Sequence, residues 1–326
     1  MSGNLMKAVL FDRYGAPDVL YIGEVPRPEP APGTALVRVA AFSVNGGETP
    51  WRAGDLRPFS GRKFPKRVGL DFTGEVVALG PPGKHLGVQP VAVGDRVWGV
   101  LGRTAGFGSA AEYVRVPIDR LGRVPEQVDL VAAAALPVAT TAVTALFEKA
   151  ALRPGERLLV RGAAGGVGYA AVQLGRARGA EVTAMARAAN LEFVRGLGAE
   201  HLVDHRTVVP AELGRFDVIL DTAGSEPWTY RRLLRPGGRM VTIAFDLARP
   251  VVSVGYLAAS WVHGRGRVRF FSGNPNRKHL DDLARRVDGG ELRPAVHAVF
   301  PLAETAAAHR ALEAGGVQGK YVVRVD

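Results

Sequence analysis

Cysteine is absent from all 326 residues. That absence excludes disulfides, thiolate zinc centres and a cysteine nucleophile together. Lysine is scarce. It supplies 7 of the 42 basic residues, so arginine supplies 42 − 7 = 35. These arginines are scattered rather than clustered, and no nucleic-acid-binding motif accompanies the net charge of +11. The charge therefore reads as a bias toward arginine, and nucleic acid is not expected as a partner. Met1 to Met6 lacks a basic region followed by an apolar core, so no secretory leader is read there and a cytoplasmic location is expected. Internal repeats and low-complexity segments are also missing. The longest charge-free run, Leu130 to Phe147, approaches a membrane span in length. It is alanine-rich, with Pro137 inside and Thr140, Thr141 and Thr144 behind. Buried helices around a proline break are expected, and no membrane partner. Hydrophobic content of 47% and charged content of 22% match an ordinary soluble protein.

Glycine is abundant, and its placement is informative. The stretch Arg157 to Arg187 reads as strand, glycine turn, helix, strand. Leu158, Leu159 and Val160 suit a buried parallel strand. Ala163, Gly165, Gly166, Val167 and Gly168 then form a dinucleotide fingerprint with alanine at its first position. The turn must be tight, its backbone must approach a pyrophosphate, and the helix that follows must offer free N–H groups to the anion. A helix over Tyr169 to Arg178 and a strand over Glu181 to Ala186 complete the unit.

Residues before this stretch read as many short strands with turns, a small all-β unit. The strands are Lys7 to Phe11, Tyr21 to Val25, Ala35 to Ala41, Leu70 to Val77, a turn and strand from Val93, and Ala110 to Val116. Residues 42 to 67 read as loop. After Pro125, strands at Phe216 to Asp221, Gly238 to Ile243 and Arg267 to Phe271 alternate with helical segments. This predicts a parallel, doubly wound sheet. Asn276 to Asp326 reads as helix, strand, helix, strand.

Taken together, the chain resembles the medium-chain dehydrogenase/reductase superfamily, and within it the zinc-independent quinone oxidoreductase branch. The resemblance rests on Ser43-Val44-Asn45, Val93 to Val97, Ala135-Leu136-Pro137, Gly162 to Gly168, Leu197-Gly198-Ala199, Phe216 to Asp221, Leu292-Arg293-Pro294 and Gly319-Lys320. It implies an α/β chain: a GroES-like β domain over 1–124, completed by 269–326, and a Rossmann domain over 125–268. It also implies homodimers and a small-molecule substrate. Zinc alcohol dehydrogenases of similar sequence carry a His-Glu pair where this chain has Leu70-Asp71. His201 and His205 have the one suggestive histidine spacing but straddle a strand end, so no metal is expected. Without a Lewis acid, alcohol oxidation loses its usual support. A conjugated C=C or a quinone needs less, because the substrate's own carbonyl delocalises the incoming charge.

An NAD site carries an acid about 20 residues past the glycine turn. Here the strand ends at Met185, Ala186 and Arg187, with no acid. Arg187 would pair with a 2′-phosphate, with His205 and Arg206 flanking it, and the expected cofactor is NADPH. By resemblance, Asn45, Thr141, Ile243, Ala244, Phe271, Ser272 and Lys320 lie along the nicotinamide half. Asn45 would bond ribose or a substrate oxygen, or else cap a turn before Gly46. Lys320 is otherwise a strand-edge charge.

No tyrosine proton donor is evident. Glu48 is the nearest acidic candidate, so Asn45 and Glu48 are the catalytic nominees, with solvent as the default donor. Trp51, Phe59 and Phe64, with Tyr113, are expected at the substrate mouth, rimmed by basic residues of the 45–67 segment. Reduction of a quinone or an enone by NADPH is the leading expectation. An enoyl reductase acting on a carrier-bound thioester, and a non-catalytic NADPH-binding protein with an RNA-binding or structural role, are the alternatives.

Overall fold

The computed structural model describes residues 4–57, 61, 63–83, 91–102, 106–244, 267–271 and 273–325. The chain divides into two compact units. The first comprises Met1–Val138, Asn274–Gly290 and Pro294–Asp326, and the second Ala139–Gly273 with Glu291–Arg293. The first unit thus runs on to 138 rather than ending at 124, and its tail begins at 274 rather than 269. The extension has a physical cause. A short helix, α2 (Leu130–Ala133), is capped by Asp129, whose carboxylate accepts the N–H groups of Val131 and Ala132. Ala134 and Ala135, just beyond it, pack in the apolar cluster that holds Ala41 and Val322 of the first unit.

Among the described residues, the first unit contains two sheets. Strand β1 (Leu5–Phe11) lies between β2 (Tyr21–Pro26) and β4 (Lys66–Arg67), all antiparallel. The larger sheet is built on β3 (Thr34–Ser43). One edge of β3 pairs with β5 (Asp71–Leu79), which leads on to β6 (Arg96–Val100) and β8 (Leu121–Arg123). The other edge is shared. β7 (Tyr113–Pro117) pairs with the first half of β3 and β16 (Lys320–Arg324) with its end, and β15 (Val296–Pro301) lies parallel to β16. The last strand of the chain therefore completes the sheet begun near residue 34. Phe42, Phe72, Val97 and Leu121 fill the core without exposure. Two further helices of this unit, α7 (Arg277–Asp288) and α8 (Thr305–Ala314), come from the tail, in the expected helix–strand–helix–strand order.

One expectation is corrected here. Residues 42 to 67 are not all loop. Glu48–Ala53 forms helix α1, stopped by Gly54 in the left-handed conformation. Six residues containing Pro50, flanked by glycines, carry too little periodicity to announce a helix. Proline is tolerated because it sits in the first turn, where its missing N–H has no intrahelical role.

Among the described residues, the second unit holds a six-stranded sheet, parallel as the alternating pattern predicts. Its order is β11 (His201–Asp204), β10 (Glu181–Ala186), β9 (Arg157–Arg161), β12 (Phe216–Asp221), β13 (Leu234–Thr242), β14 (Arg267–Phe270). Leu158, Leu159, Val160, Val182, Ala184, Val218, Ile219 and Leu220 are all at zero exposure, as strands covered on both faces require. Strand order reverses between β9 and β12, which creates a crevice at their carboxyl ends. Helix α4 (Gly168–Ala177) leaves from that point. The helical stretch Leu130–Lys149 is the one among the described residues long and apolar enough to cross a membrane. Of its most apolar window, 61% is buried within the protein, and Pro137 opens a 3₁₀ turn inside it.

Candidate functional site

The glycine turn sits at the head of the crevice. Gly162 takes φ +72°, and a Cβ there would lie 2.3 Å from Thr222 Oγ1. A Cβ on Gly168 would lie 2.1 Å from the Gly162 carbonyl oxygen. Only glycine lets the strand end, the turn and α4 approach this closely. Gly165 N–H donates to the Gly162 carbonyl at 3.0 Å and closes the turn. Val167, the N-cap of α4, contributes no side-chain cap. The Tyr169 N–H donates to the Gly165 carbonyl at 2.9 Å, and the positive end of the helix dipole lies at the turn. Ala163, Gly165, Gly166, Val167 and Gly168 are thus brought together as expected of a pyrophosphate cradle.

The nucleotide-discriminating candidates also converge. Ala186 and Asp204 are paired at the ends of the parallel neighbours β10 and β11, and Arg187 and His205 follow them directly. His205 Nδ1 lies 3.0 Å from the Ala186 carbonyl oxygen, and the Arg206 N–H donates to Asp204 at 3.0 Å. Three basic residues share one corner of the sheet. Met185, at the distance where an acid belongs, is buried in β10. Farther along, Ile243 and Ala244 follow β13 and Phe271 follows β14. Thr141, in helix α3 (Thr140–Val143), lies beside Gly273, where an added Cβ would meet its Oγ1 at 3.1 Å. Ser272 lies outside the described residues.

Asn45, Glu48 and Lys320 belong to the first unit, where they form one buried cluster. Glu48 is not a loop surface charge. It starts α1 at zero exposure, because Gly69 N–H donates to its Oε2 at 2.8 Å and Asn45 Nδ2 donates to its Oε1 at 3.1 Å. Gly69 holds φ +91°, and a Cβ there would lie 2.2 Å from the Ala110 nitrogen, so the donor's placement depends on glycine. Asn45 is fully engaged as a donor, its Nδ2 also reaching the Ser43 carbonyl at 3.0 Å. Its Oδ1 accepts from Lys320 Nζ at 2.5 Å, and the same ammonium donates to the Val44 carbonyl at 2.9 Å. Asp71, also unexposed, accepts the Ser43 N–H at 2.8 Å and the Ser43 hydroxyl at 2.6 Å. Lys320 is therefore no strand-edge charge.

Burial pushes the Glu48 carboxyl up to about 7, and the nearby Asp71 carboxylate adds to this. The Gly69 N–H, Asn45 and Lys320 oppose it. Burial likewise holds the Lys320 ammonium below its ordinary value, against the pull of Asp71 and Glu48. Sequence reading passed over Asp71 as part of this site. A carboxylate inside an apolar strand was the available signal.

The aromatic candidates do not all meet. Trp51 Nε1 donates to the Arg67 carbonyl at 3.3 Å, and its ring lies 5.1 Å from that of Phe107. Phe64 packs edge-on to Tyr14 at 5.1 Å, and Lys66 Nζ lies over both Trp51 and Phe64, at 5.4 and 5.0 Å. Tyr113 is elsewhere, stacked under Arg27 at 3.8 Å beside the Met6, Ala8 and Leu10 cluster. Phe59 lies outside the described residues.

Residues 31–126 match the alcohol dehydrogenase GroES-like domain, and residues 197–323 match the zinc-binding dehydrogenase family. The chain is 30% identical to the chloroplastic quinone-oxidoreductase QR1 of Triphysaria versicolor over 99% of both chains. It belongs to the medium-chain dehydrogenase/reductase superfamily, in the quinone oxidoreductase-like branch. The quinone oxidoreductase structure from Coxiella burnetii superposes with a TM-score of 0.86 at 30% identity, covering 99% of this chain and 100% of that one. The trans-enoyl reductase pgmF of Aspergillus terreus is 29% identical over 90% of this chain and 87% of its own length.

Membership of this superfamily makes the protein an oxidoreductase with a nicotinamide cofactor and a small-molecule substrate. The first unit supplies its GroES-like domain and the second its Rossmann-like domain. The residues here do not fit the zinc that the matched family's description names. The chain has no cysteine, and no group of three potential ligands is found among the described residues. In the buried cluster, Glu48 and Asp71 are committed to N–H and O–H donors. The Lys320 ammonium beside them would repel a dication.

Proposed function

We propose that the protein reduces a quinone or an α,β-unsaturated carbonyl compound with NADPH, by hydride transfer without a metal. The observation that carries the cofactor choice is the corner formed by Arg187, His205 and Arg206, where β10 ends in Ala186 without an acid and the Asp204 carboxylate at the end of β11 accepts the Arg206 N–H. Guanidinium and imidazole N–H groups pair with a 2′-phosphate, whereas a ribose 2′-hydroxyl calls for a carboxylate. The glycine turn fits the pyrophosphate through backbone N–H groups. Bound NADPH would supply the hydride.

What the protein's own residues supply is placement and a proton store. Asn45 and Glu48 are the proposed catalytic residues. A carboxyl near 7 is protonated for about half the population at neutral pH, so it is matched to proton donation. The balance is one hydride and one proton delivered to a C=C or a quinone, giving the saturated carbonyl or the hydroquinone. Similarity to a quinone oxidoreductase and to a trans-enoyl reductase supports both acceptor classes. NADPH consumption with a quinone but not an enoyl thioester selects the first, and the reverse the second. Activity with neither overturns the acceptor proposal. For the cofactor, Arg187→Ala should raise the KM for NADPH at least about tenfold more than that for NADH, about 1.4 kcal/mol of discrimination. Equal effects would show that Arg187 does not meet the phosphate.

A further inference from the structure

One buried charge in the second unit has no part in the chemistry above. Arg161 is the last residue of β9, immediately before the glycine turn, and is 3% exposed. Its register partner on β12 is Asp221, at zero exposure. The two form an ion pair, Nη1 to Oδ1, at 2.8 Å. Arg161 then reaches past Asp221 into the segment that follows β12. Nη1 donates to the Ser225 carbonyl at 2.8 Å, and Nη2 to the Ser225 hydroxyl at 3.1 Å. The guanidinium lies over the Tyr230 ring at 3.5 Å. Asp221 Oδ1 accepts the N–H groups of Ala223 and Gly224 at 3.0 and 3.1 Å. Thr222 Oγ1 donates back to the Arg161 carbonyl at 2.7 Å.

These bonds have one geometric result. The crevice at the strand reversal has two lips, the glycine turn after β9 and the segment 222–226 after β12. Every residue from Thr222 to Ser225 is bonded to Arg161 or to Asp221. Gly224, held this way, also abuts Ala244, the residue assigned to the nicotinamide half. A strand end needs no charge for its own stability, and a buried pair has no advantage over apolar residues of equal volume. What the pair does here is fix the spacing of the lips.

We infer that Arg161 and Asp221 are positioning residues for the nicotinamide dinucleotide, acting through the segment 222–225. The inference rests on the crevice being the dinucleotide site, but not on the choice of NADPH over NADH. The mutual neutralisation of the pair matters too. An unpaired Asp221 carboxylate beside the cradle would repel the pyrophosphate.

The test is equilibrium binding of NADPH and of NADH to the full chain, followed by nicotinamide fluorescence. Arg161→Met should raise both Kd values at least about tenfold and by the same factor. At saturating cofactor, kcat should stay within about threefold. Arg161→Lys guards against a variant that fails to fold. It keeps the charge at Asp221 but loses the Ser225 fork and the face over Tyr230, and should weaken both ligands about threefold to tenfold. Arg161→Met/Asp221→Asn removes the stranded charge. It should bind better than Arg161→Met alone but below wild type, because the segment remains untied. Unchanged Kd values in folded Arg161→Met or Arg161→Lys would overturn the inference and leave the pair purely structural. Failure of the wild type to bind either dinucleotide would instead overturn the reading of the crevice.

Discussion

Replacing Glu48 by Gln should change how the stability of the first unit responds to pH. The folded carboxyl sits at about 7 against an ordinary 4.5, chiefly because it is buried. Below 4.5 it is protonated in both states and costs nothing. Between 4.5 and 7 the unfolded chain releases the proton and the folded one keeps it, so stability falls as pH rises. Above 7 the loss is complete, and 2.5 units correspond to about 3 kcal/mol. Glu48→Gln removes this dependence. It also takes from Lys320 one of the two carboxylates that support its charge, so the variant should release the Lys320 proton earlier in the folded state and gain stability toward high pH. Both effects have the same sign. Urea unfolding of the full chain at pH 5.5, 7.0 and 8.5, read by hydrogen-exchange labelling of peptides over residues 41–79, reports this unit by itself. Relative to wild type, the variant should improve by about 2–3 kcal/mol from pH 5.5 to 8.5. A constant offset, whatever its size, would refute the reasoning, because an offset reflects altered hydrogen bonding and not titration.

Gly168→Ala places a Cβ 2.1 Å from the Gly162 carbonyl and should abolish measurable dinucleotide binding, while β9 and β12 keep their exchange protection; binding within threefold of wild type would contradict the cradle. His309, on α8, is unexposed, neither ring nitrogen has a partner among the described residues, and burial pushes it down to about 3. The unfolded chain takes up a proton at 6.5 that the folded one refuses, so stability falls as pH drops from 6.5 toward 3. His309→Leu should flatten that acid limb in unfolding midpoints, and an unchanged limb would show that another group controls it.

The second unit was legible because its strands are buried on both faces. Leu158 to Val160 and Val218 to Leu220 are apolar without interruption, and a glycine cluster between strand and helix has few other uses. The first unit's site was not. Asn45 and Glu48 are visible as polar residues near a turn, but their burial is set by Gly69 and by Lys320, which is 275 residues from Asn45 in sequence. Asp71 and Arg161 carried a local signal, a charge at the end of an apolar strand, but their partners are fixed by register and not by sequence proximity. Phe64 and Tyr113 were grouped by residue type, and strand pairing put them in different clusters. Helix α1 was hidden by its length.

The pairing of β16 with β3 also bears on how the chain is made. Glu48 and Asp71 leave the ribosome long before Lys320, the ammonium that shares their buried cluster. At about 5–20 residues per second, the interval is on the order of tens of seconds. During that time the second unit, almost continuous in sequence, can close its parallel sheet. The first unit meanwhile has an unpaired edge at the end of β3 and two carboxylates with no internal cation. A nascent chain of this protein is therefore expected to pass through a state in which its later half is folded and its earlier half waits.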